Sequence, residues 1–290
     1  MRPATVHSKI QNSDFVYFLG CNHPHLIHKL NRPVLMSVTA FAKKRRPGQG
    51  FRKYTWRESL FETGDKSLLF FDAASFTCVS RQYGLLGHIP RKFYASIVNR
   101  FEGCDWFAGA CCQDYMCEDF VLKTTGLTVE EHQRLTIHRY DLLRQDIKPS
   151  IYLMPVLQGY QPEEYLRHLD AWGDRLKPGM WVGIGSVCKR NEDKEGQKQI
   201  AKIIDLVLSE RHDLLLHLFG VKEKALRVPE IRLRVRTADS GAFGLSSNKS
   251  DSEGRKTKKF QYANNWDHQL SKVEKIESNS IQKQLFYMVS

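Results

Sequence analysis

No stretch of this 290-residue chain is apolar over a membrane-spanning length. Residues 1–9 hold no apolar run of signal-peptide size. Neither insertion nor export is therefore expected, and the chain reads as a cytoplasmic protein with no membrane partner. Its seven cysteines are odd in number and contain no Cys-x-x-Cys. That argues against a disulfide framework and the commonest zinc motifs, and the cysteines read as free thiols. Cys111, Cys112 and Cys117, with His132 nearby, fit no common zinc spacing, so buried thiols are the better reading and no metal is expected. Gly-rich dinucleotide punctuation is missing after the first strand-like run, which weakens a doubly wound sheet as the architecture. Acidic residues are the scarcer sign, 32 against 44 basic, leaving a formal charge of +12. A chain so charged tends to meet polyanions, although surplus surface lysines would give the same count, and charge alone does not separate DNA, RNA and anionic lipid.

What is present is an ordinary globular content of apolar residues arranged in a repeating order. Short runs suited to buried parallel strands fall at residues 15–19, 33–38, 67–72, 104–110, 151–157, 180–185, 213–219 and 231–239. Helix-length segments at 90–101, 128–145, 162–176 and 195–210 alternate with them. Thr128 and Glu131 make a capping-box pattern, and Pro162 stands at a first-turn position with Glu163 and Glu164 behind it. About eight strand–helix units in this length predict an α/β fold of the (β/α)₈ TIM-barrel kind, one domain over residues 1–245. Residues 43–53 and 246–259 are basic, polar and poor in apolar side chains, and both read as exposed loops, either solvated surface or phosphate contacts. Residues 260–290 read as a C-terminal helical segment packing on the barrel.

In such a barrel the chemistry collects where strands end. One strand ends in Asp72 and another in Asp239, and a carboxylate straight after an apolar run is costly to bury without purpose. A helix cap is the structural alternative at Asp72. Two strand-end carboxylates suit displacement at a glycosidic carbon, one attacking and one handling protons. Asp114, with Gln113 and Glu118 around it, follows a third strand and could accept from the donor edge of a purine; loop capping is equally open. Gln158 offers a donor and an acceptor, and Gly159 allows close backbone approach. Gly183 and Gly185, with Ser186 behind them, could let a flat ligand lie on the main chain. Lys189 and Arg190 follow, placed for a phosphate, as is Lys222 after the next strand. His217, inside an apolar run, reads as a core histidine satisfied internally rather than as a catalyst.

Taken in order, eight segments resemble the deazapurine-in-DNA transglycosylases, relatives of the tRNA-guanine transglycosylases. They are Phe18-Leu-Gly-Cys-Asn-His-Pro-His25, Asp72-Ala-Ala-Ser-Phe76, Gln113-Asp-Tyr-Met-Cys-Glu118, Thr125-Gly-Leu-Thr-Val-Glu-Glu-His-Gln133, Pro155-Val-Leu-Gln-Gly159, Val182-Gly-Ile-Gly-Ser-Val-Cys-Lys-Arg190, His217-Leu-Phe-Gly-Val-Lys222 and Thr237-Ala-Asp-Ser-Gly-Ala-Phe243. The resemblance implies a (β/α)₈ barrel that exchanges guanine in a polynucleotide for a free 7-deazaguanine base, such as 7-cyano-7-deazaguanine, with no cofactor. It implies Asp239 as the nucleophile at C1′ and Asp72 as general acid/base. It also implies that Asp114, Gln158 and Gly185 line the base pocket. Arg255, Lys256, Lys258 and Lys259 in the second basic loop are expected to hold phosphates beside Lys189, Arg190 and Lys222.

Two departures bear on the substrate. Ala73 and Ala74 stand where the tRNA enzymes resemble one another in a Ser-Gly pair, which alters the pocket shape. The Cys-x-Cys-x-x-Cys zinc site of those enzymes has no counterpart here, nor is there room for an added RNA-binding domain. Both absences favour DNA over tRNA. Exchange on tRNA, or a catalytically altered nucleic-acid-binding protein, stand as the alternatives, and a helicase-like partner that opens the duplex is compatible with the chemistry.

Overall fold

The structure, a computed structural model, describes residues 5–21, 24, 27, 32–44, 51–53, 67–78, 88–190 and 193–240. The parallel strands are β1 (Val16–Gly20), β2 (Val34–Ser37), β5 (Leu69–Asp72), β6 (Phe107–Cys111), β7 (Leu153–Met154), β8 (Val156–Leu157), β9 (Trp181–Ile184), β10 (Leu215–Leu218) and β11 (Thr237–Ser240). Between β2 and β5, β3 (Ala42–Lys44) and β4 (Phe51–Lys53) pair antiparallel as a separate ribbon. The stretch 43–53, expected to be a loop throughout, thus has paired ends.

The large sheet runs β7-β6-β5-β2-β1-β11-β10-β9-β8. Its two outermost strands are halves of one, parted by Pro155. β7 pairs with β6 and β8 pairs with β9, so the ring closes through the proline. Proline offers no N–H to a ladder, but its carbonyl still accepts from Gly183 N–H at 2.9 Å. The result is the (β/α)₈ barrel, with eight strand positions around the ring.

Continuous apolar runs form the strands because both faces are covered, inside by barrel side chains and outside by helices. The interior is largely aromatic. Trp181 lies 4.6 Å from Phe70 and 5.9 Å from Phe18, ring centre to ring centre, and His217 meets Trp181 edge-on at 5.7 Å. The described α-helices in chain order are α1 (Ser8–Gln11), α2 (Ser75–Cys78), α3 (Arg91–Val98), α4 (Asp119–Thr125), α5 (Val129–Asp146), α6 (Pro162–Trp172), α7 (Lys194–Glu210), α8 (Glu223–Leu226) and α9 (Pro229–Arg232), and the long ones, α3, α5, α6 and α7, run outside the ring. The capping box at Thr128 and Glu131 is formed, and Pro162 opens α6 as its position suggests. Each long helix turns one stripe inward. On α7 the stripe is Ile200, Ile203, Ile204 and Val207, all buried.

One strand differs from expectation. Residues 231–239 were expected to be extended, but the chain forms a helical turn, α9 (Pro229–Arg232), and becomes a strand only at Thr237. Pro229 at the first helical position starts that turn and Ile231 is buried by it. Apolar alternation over so few residues does not distinguish the two. Gly109 marks a bulge in β6, where the register with β5 shifts. Its φ is 128°, and a Cβ there would lie 2.4 Å from the Tyr152 carbonyl oxygen. The expected basic loop at 246–259 and helical segment at 260–290 lie outside the described residues, as do Arg255, Lys256, Lys258 and Lys259. No helix among the described residues is long and apolar enough to cross a membrane.

Candidate active site at the strand ends

Asp72 and Asp239 close their strands at the same, C-terminal, end of the barrel. Between β5 and β11 lie only β2 and β1, with Ser37 opposite Asp72 and Phe18 opposite Asp239 in the registers. Asp239 is near enough for its charge to reach Asp72. Burial raises the Asp72 carboxyl from its ordinary 3.8 to about 7. The charge of Asp114 adds to the rise, Ala74 N–H opposes it, and Asp239 raises it further. That N–H, 3.0 Å from Asp72 Oδ2, comes from a residue with φ 62°, so Ala74 keeps the left-handed turn that a glycine would make without strain.

Asp239 is buried and held on one side only. Its Oδ1 accepts the Gly220 N–H at 2.8 Å, and the Nε2 of His217 stands 3.4 Å from the same oxygen. Gly220 has φ 65°, and any Cβ would meet that of Cys188 at 2.8 Å, so only glycine delivers this N–H. No described residue hydrogen-bonds Oδ2. Behind His217 the polarity is fixed. Trp181 Nε1–H donates to Thr237 Oγ1 at 2.7 Å, and Thr237, 2.8 Å from His217 Nδ1, has that nitrogen as the only partner for its own hydrogen among the described residues. Nδ1 accepts, so the ring hydrogen sits on Nε2, which stands 3.4 Å from Asp239 Oδ1 without hydrogen-bonding to it. The histidine is wholly buried, as a core residue would be, yet it touches the carboxylate. Sequence alone shows the burial, because the apolar run says nothing about which ring atom faces what.

Asp114 lies in the loop after β6 and is tied to the β5 loop through its N–H, 3.2 Å from Ser75 Oγ. Its carboxyl is raised by burial, while Ser75, its own N–H and Gln158 act in the opposite sense. Gln158 donates its amide N–H to Asp114 Oδ2. The backbone of Gln158 is pinned from outside the barrel: its N–H donates to His168 Nδ1 at 2.8 Å and its carbonyl accepts from Gln133 Nε2 at 2.7 Å. Ser186, with φ 54°, lies within 2.7 Å of Gln158 Oε1 and 2.9 Å of Glu118 Oε2. Strained backbone at Ala74 and Ser186 thus lies on either side of the Asp114–Gln158 pair.

The expected glycines divide. The Gln158 amide lies across Gly185, where a Cβ would be 2.1 Å from Nε2, so Gly185 makes room for the pocket's own side chain. Gly183 makes room for the ring of Phe219, and Gly159 for Glu164 and Tyr165 of α6. The cations divide as well. Lys189 is exposed, 5.6 Å from the ring centre of Phe76, and Lys222 is exposed at the end of its loop. Arg190 is buried over the Tyr160 ring and donates to Gln199 Oε1 and the Tyr160 carbonyl.

Among the described residues no group of His, Cys, Asp and Glu is arranged to hold a metal ion. His132 uses both ring nitrogens, on the Met116 carbonyl at 2.6 Å and Thr125 Oγ1 at 2.8 Å, and Cys111, Cys112 and Cys117 are buried.

No curated protein matches this chain. A family model does, described as deoxypurine in DNA protein A, over residues 51–283, which is more than half of the chain and includes Asp72, Asp114, Gln158, Ser186 and Asp239. Asp72, Asp114, Gln158, Ser186 and Asp239, gathered at one barrel mouth, therefore sit inside a recognised family unit: the chain belongs to the DpdA family, and with it to DNA deazapurine modification.

Proposed function

We propose that this protein is a DNA guanine transglycosylase that exchanges a guanine for a free 7-deazaguanine base through a covalent intermediate on Asp239. The observation that carries it is the division of labour between two carboxylates at one mouth. Asp239 is anchored through Oδ1 and leaves Oδ2 for a sugar carbon. Asp72 is pushed to about 7, where it can both give and take a proton near neutrality.

The target nucleotide leaves the stack so that C1′ reaches Asp239. Oδ2 attacks C1′, the bond to guanine N9 breaks, and Asp72 gives its proton to the departing base. The deoxyribose is then an ester of Asp239, and its bond energy is conserved, so no triphosphate is consumed. A 7-deazaguanine enters, Asp72 takes the proton from its N9, N9 attacks C1′, and Asp239 leaves as the carboxylate. Carbon in place of N7 removes a protonation site, which makes the new base a poorer leaving group than the old one. Asp114 and Gln158 read the base edge. Lys189 and Lys222 hold phosphates on either side, with Arg255, Lys256, Lys258 and Lys259 on the loop at 246–259. A barrel over residues 1–245, followed by that loop and a helical segment at 260–290, is part of the same proposal. So is a partner that opens the duplex.

The test is incubation with DNA, tRNA and labelled 7-cyano-7-deazaguanine in one vessel, with the unaltered protein and Asp239→Ala side by side. Label should enter DNA only with the unaltered protein, and a denaturation-resistant protein–DNA adduct should form with it alone. Equal incorporation by Asp239→Ala would remove the mechanism. Label in tRNA instead would move the substrate.

A further inference from the structure

Behind the base edge runs a line of polar side chains that is one hydrogen short. Ser186 Oγ accepts the Cys117 N–H at 2.8 Å and lies near both Gln158 Oε1 and Glu118 Oε2. A hydroxyl has one hydrogen to give. Gln158 turns its N–H toward Asp114, so its Oε1 faces Ser186 and can only accept. The serine's hydrogen goes there. The remaining contact, Ser186 to Glu118, then brings two oxygens to 2.9 Å with no hydrogen between them, unless the carboxyl brings its own. Turning the amide over moves the shortage to Asp114 without removing it. Asp114 is the anion in the orientation the structure holds, because Gln158 gives its N–H to Asp114 and leaves the shortage at Glu118.

We infer that Glu118 is the carboxylic acid of this site, holding one proton that it donates to Ser186, and that it thereby keeps Gln158 turned so that Asp114 stays an anion. Glu118 is a positioning residue, with Ser186 and Gln158 between it and Asp114. Its surroundings fit a neutral acid. It is buried and Asp114 contributes a like charge, while the weak S–H donor of Cys188 is 3.9 Å from Oε1. Ser186, its own N–H and the more distant charge of Arg190 work in the other direction. Burial comes first among these influences and raises the carboxyl.

What the proton is for rests on the transglycosylase reading. Guanine and 7-deazaguanine share an edge of two donors, N1–H and the 2-amino group. An anionic Asp114 accepts from both, whereas a protonated one would set a donor against them. One proton placed on Glu118 thus selects for that edge.

Infrared spectroscopy of the DNA-free protein tests the proton without any catalysis. Well above pH 7, where Asp72 is ionised, the unaltered protein should show the carbonyl stretch of a buried carboxylic acid. The band should persist in Asp72→Asn, vanish in Glu118→Gln, and shift in Ser186→Ala, which removes its acceptor. Absence of the band from the unaltered folded protein would overturn the inference, even if no variant folds. So would a band that survives Glu118→Gln and disappears in Asp114→Asn, because the proton would then sit on Asp114. For the base, Glu118→Gln keeps a donor facing Ser186 and should bind guanine about tenfold tighter than Glu118→Ala, as expected for one buried hydrogen bond. Equal weakening would remove the positioning role. A protein with the band but no exchange on DNA would overturn the transglycosylase reading and leave the proton standing.

Discussion

At Asp72 the proposed chemistry and the stability of the fold are linked through one proton. The neutral carboxyl suits its surroundings better than the anion, which is why its pKa rises from 3.8 to about 7. The stability that goes with the protonated form is complete below pH about 4 and is lost as the pH climbs through about 7. Asp72→Asn keeps a neutral side chain at every pH. Its stability relative to the unaltered protein should therefore grow between those two values and level off above them, while exchange is lost. Urea midpoints taken across that range check this, and a difference that stays flat would mean the carboxyl is not raised. The neighbouring question is His217. Replacing it with Phe keeps a ring against Phe18, Phe70, Trp181 and Phe219 but removes the polar nitrogen that stands 3.4 Å from Asp239 Oδ1. Adduct formation should slow by about tenfold or more, equivalent to roughly 1.4 kcal/mol of barrier. Single-turnover measurement at saturating DNA reads it directly, and an unaltered rate would leave the ring with a packing role alone. The two aspartates were legible because carboxylates at strand ends stand out from apolar runs. His217 was not, because burial hides which atom meets which neighbour. The surroundings of Arg190 were hidden for a related reason: a basic residue after a strand carries no sign that an aromatic ring and a carbonyl will take it in.

Among the elements, strands and helices with full periodicity were read closely from the residue order. The capping box of α5 and the proline at the start of α6 stand where the local pattern puts them. Shorter pieces were harder. Four residues of α9 look extended on paper, and Pro155 gives no hint that one strand will pair with different neighbours on its two sides. The bulge at Gly109 is likewise invisible without its partners, and it carries a sharp test. Gly109→Ala forces a left-handed φ on a residue with a side chain and drives that side chain into the Tyr152 carbonyl. A loss of roughly 2–4 kcal/mol is expected from strain and overpacking together, measurable by denaturant unfolding. A near-neutral change would mean that β6 can slide past β7.

For the molecule as a whole, the excess of 12 positive charges proposes a polyanion, and the family match makes that polyanion DNA. Binding to DNA should weaken steeply with salt, in proportion to the phosphates neutralised. Removing Lys189 and Lys222 together should lower the slope of log K against log salt by about 1–2, while Arg190→Ala should act through stability instead. Equilibrium titrations at several salt concentrations separate the two. An unchanged slope in the double variant would take both lysines off the DNA path.

The order of the ring has a consequence for how the protein is made. β11 is laid down last of the barrel strands, yet it lies between β10 and β1, with Asp239 beside Phe18. On the ribosome, everything up to residue 236 can emerge and pair while the ring remains an open sheet with two bare edges. Asp72 is already present at that stage, but it has no partner across the mouth. Translation that stops short of residue 239 therefore leaves a sticky open sheet and, in the proposed mechanism, no nucleophile, so reactivity toward DNA is expected only once the ring is sealed.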